Sequence, residues 1–421
     1  MANFSVNRSK RSLVTPVEET PSGILDLSVI DKILVLRCYA RTLHVYKHGG
    51  AEAAASIREG LSKALVPYYP LAGRLKHSDQ GCDVHLECTG EGAWFVEAST
   101  DSTLDAVSYF DNVLSIPHDE LLSDQVPEEN EPLVQMQVTK FACGGFVIGL
   151  RFCHTVCDGL GSAQFMNAVG ELARTETLSI SPVWKRDFFP APNQESKAAT
   201  FLNLPPPLPN YQLEHANVDM SMDEINQLKK EFFEKAGQTC SAFEAVAASF
   251  WTLRTKAINF DPNTEMRLVF FANCRQLLDP PLPQGFYGNC FFPVTITASS
   301  DMLKQASNVE VVKLIQEAKA NLPVEFAKYR NGDYFRSGED PFAPPLIYST
   351  LFISEWGRLG FNQVDCGWGP PVHVVPIQGS SIIPVGIVGS LPLPKKGIRF
   401  MTWCVEAVHR QPFLDLMAKS I

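Results

Sequence analysis

Residues 152–159 read Phe-Cys-His-Thr-Val-Cys-Asp-Gly, and the neighbouring sequence frames this stretch on both sides. An apolar run from Gly145 to Phe152 precedes it, and a helical pattern from Leu160 to Arg174 follows it. The pattern predicts a strand, a short turn and a helix. Reactive side chains are often displayed on such connections because rigid elements hold both ends. We therefore take His154 as a candidate general base and Asp158 as its geometric support.

The spacing His-x-x-x-Asp is a weak signal by itself, because it occurs twice in this chain. One copy is His154 and Asp158, and the other is His215 and Asp219. The second copy lies between a proline-rich segment and a predicted helix start, and we interpret it as structural. The first copy is followed by Gly159 and is flanked by a strand and a helix, which favours a functional role.

Several kinds of chemistry could use His154. A metal site would need a third ligand at a suitable spacing, and none is present. Cys153 and Cys157 flank the histidine, but side chains adjacent on a strand point to opposite faces. No Gly-x-Ser-x-Gly motif supports a Ser-His-Asp hydrolase. These residues alone leave a lone histidine base, or a core histidine that only satisfies its hydrogen bonds.

Composition limits the class of protein. A chain of 421 residues exceeds one ordinary core, which predicts two domains. The net charge of −10 makes nucleic acid and anionic membrane poor partners. Eleven cysteines without a Cys-x-x-Cys pair argue against a disulfide framework or a metal site and for a reducing compartment. The N-terminus lacks a signal-peptide apolar core, so we expect a cytoplasmic, monomeric protein without a membrane or nucleic-acid partner.

A proline-rich segment divides the chain nearly in half. Seven prolines fall between residues 181 and 211, which excludes a regular helix or an interior strand there. We predict an α/β protein with an N-terminal domain at 1–180, a crossover linker at 181–211 and a C-terminal domain at 212–421. In the second half, Ser221 and Ser241 each precede a glutamate by three residues and predict helix starts.

A second motif lies near the end of the chain, where residues 365–371 read Asp-Cys-Gly-Trp-Gly-Pro-Pro. Two glycines around a tryptophan indicate a tight loop in which the backbone approaches another group. Taken alone, the motif predicts an irregular turn with an aromatic anchor.

Together the two motifs resemble the paired signatures of the BAHD acyltransferases, plant enzymes that move an acyl group from coenzyme A to an alcohol or amine. The resemblance covers nearly the whole chain and includes residues 69–74 (Tyr-Pro-Leu-Ala-Gly-Arg) and 287–289 (Tyr-Gly-Asn). Cys366 stands where the family usually has phenylalanine, which puts local packing in question. The resemblance implies two similar-sized chloramphenicol-acetyltransferase-like domains, joined by a long crossover, with the active site in a channel between them.

The resemblance also implies roles for single residues. His154 would be the catalytic base, while Asp158 and Gly159 would shape its loop. Asp365 would pair with Arg275. Gly367, Trp368 and Gly369 would support the second motif, and Ser241 and Asn289 would bind coenzyme A. No metal is expected, and acyl-coenzyme A is a co-substrate rather than a bound cofactor. Apart from the resemblance, Trp368 and the backbone near Gly159 are the two candidates for the oxyanion donor.

Segments 25–48, 143–146, 182–186 and 261–289 resemble the branch with benzyl alcohol benzoyltransferases, monolignol acyltransferases and taxane acyltransferases. This implies an O-acyltransferase that favours an aromatic donor such as benzoyl-, p-coumaroyl- or feruloyl-coenzyme A. The acceptor would be a monolignol, a benzyl-type alcohol or a terpenoid alcohol. Acetyl transfer, N-acylation, a thioesterase and an inactive binding homologue are the alternatives.

Overall fold

The computed structural model describes residues 4–77, 84–112, 117–123, 131–188, 209–377 and 382–419. The described part of the first half contains nine strands and two helices. They are β1 Asn7–Arg8, β2 Ser12–Val14, β3 Gly23–Leu25, β4 Tyr39–Tyr46, α1 Ala53–Ala64, β5 Arg74–His77, β6 Val84–Cys88, β7 Ala93–Thr100, β8 Val134–Phe141, β9 Phe146–Cys153 and α2 Gly159–Ala173.

The described part of the second half contains seven strands and six helices. They are β10 Leu213–Ser221, α3 Met222–Ala236, α4 Ala242–Ile258, β11 Glu265–Asn273, β12 Phe291–Ser299, α5 Ser300–Gln305, α6 Asn308–Arg330, α7 Asp333–Ser337, β13 Thr350–Glu355, β14 His373–Pro376, β15 Val385–Ser390, β16 Gly397–Glu406 and α8 Ala407–Lys419. The predicted starts of α3 and α4 are confirmed, because Ser221 and Ser241 both form capping boxes.

The strands form three sheets. The first has the order β1-β7-β8-β9-β4-β14, with β2 also paired to β7, and the second has the order β10-β16-β15-β13-β11-β12. A small third sheet has the order β3-β6-β5. Helices α1 and α2 pack on the first sheet, and α3, α4, α6 and α8 pack on the second. The fold is therefore mixed α/β, as predicted, and each half contains one large sheet.

One strand crosses the division that the sequence suggested. β14 comes from the C-terminal half, yet it pairs antiparallel with β4 at the edge of the first sheet. Phe361 and Cys366 likewise belong to the core of the first half. The predicted boundary between residues 211 and 212 therefore fails for residues 361–376. This segment follows the boundary in sequence, but it completes the sheet and the core of the first half.

The predicted crossover linker falls largely outside the described residues, which omit 189–208. Its described beginning is anchored, since Val183 forms a parallel bridge with Phe286 of the second half. The ten cysteines among the described residues are all free.

Candidate active site

The connection between β9 and α2 carries the first motif. β9 ends at Cys153, residues 154–156 turn, and α2 begins at Gly159. Asp158 is the N-cap of α2, and its Oδ1 accepts a hydrogen bond of 3.0 Å from the backbone N–H of Gly161. Gly161 has to be glycine, because an added Cβ would lie 1.8 Å from the carbonyl oxygen of Tyr287. The first turn of α2 thus packs closely against the backbone of the second half at Tyr287.

His154 is half-buried at this turn, and its backbone is held by the first sheet. Its N–H donates to the carbonyl oxygen of Cys38 at 2.9 Å, which extends the β4–β9 pairing by one residue. Nδ1 is buried and makes no hydrogen bond within the described chain. Nε2, which also makes no hydrogen bond within the described chain, is not fully buried. The imidazole therefore has no carboxylate partner in the described residues.

Asp158 binds an arginine of the other half instead of His154. Arg275 Nη2 donates to Asp158 Oδ1 at 2.8 Å, and the side chains are only 11% and 10% exposed. Burial disfavours the charged guanidinium, but the Asp158 carboxylate outweighs this effect and raises the pKa of Arg275. Asp158 Oδ2 also accepts from the N–H of Cys290 at 3.3 Å. Asp158 thus joins the loop of the first half to the second half.

The expected pair between Arg275 and Asp365 is wrong. Arg174, at the C-terminal end of α2, donates instead to the backbone carbonyl of Asp365. Asp158 and Arg275 lie at the N-terminal end of the same helix. Because fifteen helical residues span about 22 Å, Asp365 lies far from Arg275.

Three buried residues hold the carbonyl groups of the turn, and we refer to them as the Asp31–Arg186–Asn289 network. Asn289 Nδ2 donates to the carbonyl oxygen of His154 and to Asp31 Oδ1, at 2.8 Å each. Arg186 Nη2 donates to the carbonyl oxygen of Val156 at 2.7 Å. Arg186 Nε and Asp31 Oδ2 form an ion pair at 3.1 Å, and both side chains are almost fully buried. The turn is therefore fixed from the N-terminal loop, the start of the linker and the second half.

Sequence reasoning missed Asp31 and Arg186 in this network. Each is a charged residue close to large apolar neighbours, and a charge that is buried needs a partner. That pattern could have indicated that Asp31 and Arg186 form buried ion pairs, but it could not show which residues are their partners. Asn289 was predicted to bind coenzyme A. Its side chain is fully buried and its amide N–H groups bind protein oxygens, which gives it a positioning role in this structure.

The second motif holds a tight turn at the opposite end of α2. Asp365 Oδ1 accepts from the N–H groups of Gly367 at 2.7 Å and Gly369 at 3.0 Å. Both glycines have positive φ, 109° and 82°, a conformation that other residues rarely adopt. Trp368 packs edge-on against Phe146, with ring centroids 5.6 Å apart. The motif therefore attaches the C-terminal half to the first core.

Trp368 is too far from His154 to stabilise the oxyanion, so that expectation is wrong. It contacts Phe146 at the start of β9, whereas His154 follows the end of that strand, about 25 Å away. Cys366 is buried in the first core, and burial raises the pKa of its thiol to about 12. The smaller side chain at this position is thus accommodated as an inert core residue.

Ser241 lies at the start of α4, where its Oγ accepts from the N–H of Glu244 at 3.2 Å. Its role in coenzyme A binding stays a prediction. Within the described residues, no group of three or more His, Cys, Asp and Glu side chains is placed to hold a metal ion. In the same residues, no helix has the length and hydropathy required to span a membrane.

The sequence model of the transferase family matches residues 4–383, which is most of the chain. The chain belongs to this family, the BAHD acyltransferases. Acyl transferase 4 of Oryza sativa subsp. japonica is 43% identical, and the match covers 98% of each chain. Another BAHD relative, myricetin 3-O-glucosyl 1,2-rhamnoside 6'-O-caffeoyltransferase AT2 of Crocosmia x crocosmiiflora, is 37% identical over 99% of each chain.

Further comparisons extend to benzoyltransferases and to solved structures. 3'-N-debenzoyl-2'-deoxytaxol N-benzoyltransferase of Taxus canadensis is 32% identical, covering 100% of this chain and 97% of the relative. Vinorine synthase matches with a TM-score of 0.76 and 18% identity over 98% of each chain. F. graminearum TRI101 complexed with coenzyme A and T-2 mycotoxin matches with a TM-score of 0.74 and 11% identity, over 92% of this chain and 96% of that one. The predicted family, two-domain BAHD fold and acyltransferase class are thereby confirmed.

Proposed function

We propose that this BAHD enzyme transfers an acyl group from acyl-coenzyme A to the hydroxyl of a small plant alcohol, with His154 as general base. The observation that carries the proposal is the state of His154. Its backbone is fixed by Cys38 and Asn289, while Nε2 stays accessible and no described carboxylate binds the ring. A rigid base with one free nitrogen suits direct proton transfer from a bound substrate.

The reaction then follows in two steps within a ternary complex. Neutral His154 takes the hydroxyl proton through Nε2 as the alcohol oxygen forms a bond to the thioester carbonyl carbon. The tetrahedral intermediate collapses, the carbon–sulfur bond breaks, and the imidazolium returns the proton to the coenzyme A thiolate. A positioned base of this kind contributes roughly 10²–10⁴ in rate. The enzyme needs no covalent acyl intermediate.

The negative oxygen of the intermediate needs a hydrogen-bond donor. The first backbone N–H groups of a helix have no carbonyl partner within the helix, and the helix dipole favours negative charge there. Gly159 and Leu160 supply such groups at the start of α2, directly after the His154 turn. We place the oxyanion beside them. A donor of this kind contributes about 10²–10³ in rate.

The donor in this proposal is an aromatic acyl-coenzyme A and the acceptor is an alcohol. Two relatives named above are a caffeoyltransferase and a benzoyltransferase, which supports an aromatic acyl group. Coenzyme A in a complex with the same fold supports the co-substrate. The Taxus canadensis relative is an N-benzoyltransferase, so an amine acceptor is the second candidate. A cytoplasmic location and a monomeric state belong to the same proposal.

A thiol-release assay tests this function. Benzoyl-, p-coumaroyl-, feruloyl- and acetyl-coenzyme A are each combined with benzyl alcohol, coniferyl alcohol, a terpenoid alcohol or benzylamine, and products are identified by mass. We expect acceptor-dependent thiol release and an ester of matching mass. Thiol release without acceptor would instead identify a thioesterase. No release with any donor, from a protein that is folded, would identify a binding homologue.

A further inference from the structure

An aromatic path leads from His154 into the second half. The ring of Phe291 stands edge-on to the imidazole of His154, with centroids 6.2 Å apart and planes at 76°. Phe271 stands edge-on to Phe291, with centroids 5.3 Å apart and planes at 77°. Phe291 therefore links the imidazole of His154 to the ring of Phe271.

Strand register places these rings on one face of the second sheet. Asn273 pairs with Phe291 and Phe271 pairs with Pro293 on β11 and β12, so Phe271 and Phe291 share a face. The alternate residues Phe270 and Phe292 are almost fully buried in the cores on the opposite side. The face with Phe271 is thus opposite to the one on which α4 and α6 pack.

The same face looks toward the first half. Val269 of β11 is in register with Phe352 of β13, which places Phe352 on this face as a half-buried residue. Farther across the sheet, Ile387 and Met401 on this face pack against Val375 of the first sheet. At the β15–β16 side of the sheet, this face therefore packs against the first half. At the β11–β12 side, its residue Phe291 lies beside His154.

Phe271 keeps 44% of its surface exposed, although a packed aromatic neighbour lies beside it. Asn273, on the same face, accepts a hydrogen bond from Arg275 at 3.2 Å, and Arg275 binds Asp158 of the His154 turn. Exposed apolar residues that occur singly need no explanation. Here, however, an exposed ring continues an aromatic surface that ends at the proposed base, and aromatic side chains are typical linings of ligand sites.

We propose that Phe271, Phe291 and Phe352, which we name the aromatic wall, bind an aryl ring of a substrate. Phe271 is then a specificity-determining residue, because it adds ring surface without contacting the proposed reacting atoms. This inference rests on the proposed acyl transfer and specifies which chemical group the site accepts. The aryl ring belongs either to the acyl group or to the acceptor. Aromatic pairing changes an affinity by about two- to tenfold.

Substrates that differ in the position of the ring distinguish these two sources. Three pairs are compared: benzoyl-coenzyme A with 1-hexanol, acetyl-coenzyme A with benzyl alcohol, and acetyl-coenzyme A with 1-hexanol. For Phe271→Ala, we expect the ratio of kcat/KM for one ring-bearing pair to that for the ring-free pair to fall about three- to tenfold. A fall in the first pair assigns the acyl ring and a fall in the second assigns the acceptor ring. Phe271→Tyr should restore the ratio.

Equilibrium binding separates this inference from the proposed function. Dissociation constants of S-benzyl-coenzyme A, S-ethyl-coenzyme A and benzyl alcohol are measured by calorimetry for the wild type and Phe271→Ala, whether or not either turns over. Weaker binding of one aryl ligand by about threefold or more, relative to S-ethyl-coenzyme A, supports the wall even if no transfer occurs. Equal changes for all ligands, or no change for any, would overturn it. Phe233→Ala, which removes a 55% exposed ring from α3, is the matched control.

Discussion

The chain contains the spacing His-x-x-x-Asp twice, and the two copies have different structures. His154 and Asp158 span the end of β9, a turn and the start of α2. His215 and Asp219 both lie within β10, on the same face of one strand. The Nε2 of His215 is buried without a hydrogen bond in the described residues, and its ring lies 4.8 Å from that of Trp403.

In both copies the aspartate binds an arginine rather than the histidine. Asp158 binds Arg275 of the other half, and Asp219 accepts two hydrogen bonds of 2.6 Å from Arg399 of the neighbouring strand. A strand separates residues four apart by about 13 Å, so the pair in β10 cannot act together. The spacing thus gives no catalytic pair in either place. What distinguishes the first copy is a turn that leaves one imidazole nitrogen accessible.

The largest expected difference between the two copies is the loss of activity when each histidine is replaced by alanine. His154→Ala should lower kcat/KM for acyl transfer by roughly 10²–10⁴, because the base is lost while the fold is kept. His215→Ala should leave kcat/KM within about threefold, because this half-buried residue lies in β10 of the second sheet and not at the His154 turn. Steady-state thiol release measures both. A His154→Ala enzyme with more than a few per cent of wild-type activity would contradict the proposed role.

The second contrast compares the two arginines. Arg275→Ala leaves the Asp158 carboxylate, 10% exposed, without its ion-pair partner, and should cost about 3 kcal/mol of unfolding free energy. It should also lower kcat, because the proposed oxyanion donors follow Asp158. Arg399→Ala leaves Asp219, 41% exposed, and Asp111, 28% exposed, without their shared ion-pair partner; because both carboxylates contact water, the loss should be about 1–2 kcal/mol. Urea unfolding and kinetics are measured together.

Arg275→Lys is the matched variant for this second contrast. It keeps the charge but loses the planar donor group, and should recover part of the stability. If the Arg275→Ala and Arg399→Ala variants lost equal stability and equal activity, the ion pair between Arg275 and Asp158 would have no particular role in holding the His154 turn.

These contrasts also show what the sequence could predict. The strand, turn and helix around His154 follow from local periodicity, and the starts of α3 and α4 follow from residues three positions apart. Arg275 binds Asp158, which is 117 residues away in the sequence, and Asp31 binds Asn289, which is 258 residues away. Such pairs leave no local pattern. The resemblance to a family could name the residues but assigned Arg275 the wrong partner.

A third contrast tests the network that holds the turn. Asn289→Ala removes the donor to the carbonyl oxygen of His154 and should lower kcat by about tenfold, since misplacement by 1 Å can cost 10²-fold. Stability should fall by about 1–2 kcal/mol, because Asp31 loses a buried hydrogen bond. The matched control is Asn217→Ala, which changes the asparagine between His215 and Asp219 and should leave kcat unchanged. A purely structural role for Asn289 would lower stability without lowering kcat in the folded fraction.

The smallest expected effect concerns the pH dependence of stability at the second histidine. Burial lowers the pKa of His215 to about 4, whereas a histidine in an unfolded chain titrates near 6.5. Between these values the unfolded chain binds more protons, so the unfolding free energy falls as pH drops from about 6.5 toward 4. His215→Gln should therefore reduce the difference in unfolding free energy between pH 7 and pH 5 by about 1 kcal/mol, after allowance for partial exposure. The slope that remains includes His373, whose pKa burial also lowers to about 4, so His373→Gln should give a second, separate reduction. If His215→Gln left the pH dependence unchanged, His215 would not be the neutral, half-buried strand residue that distinguishes the second copy from the first.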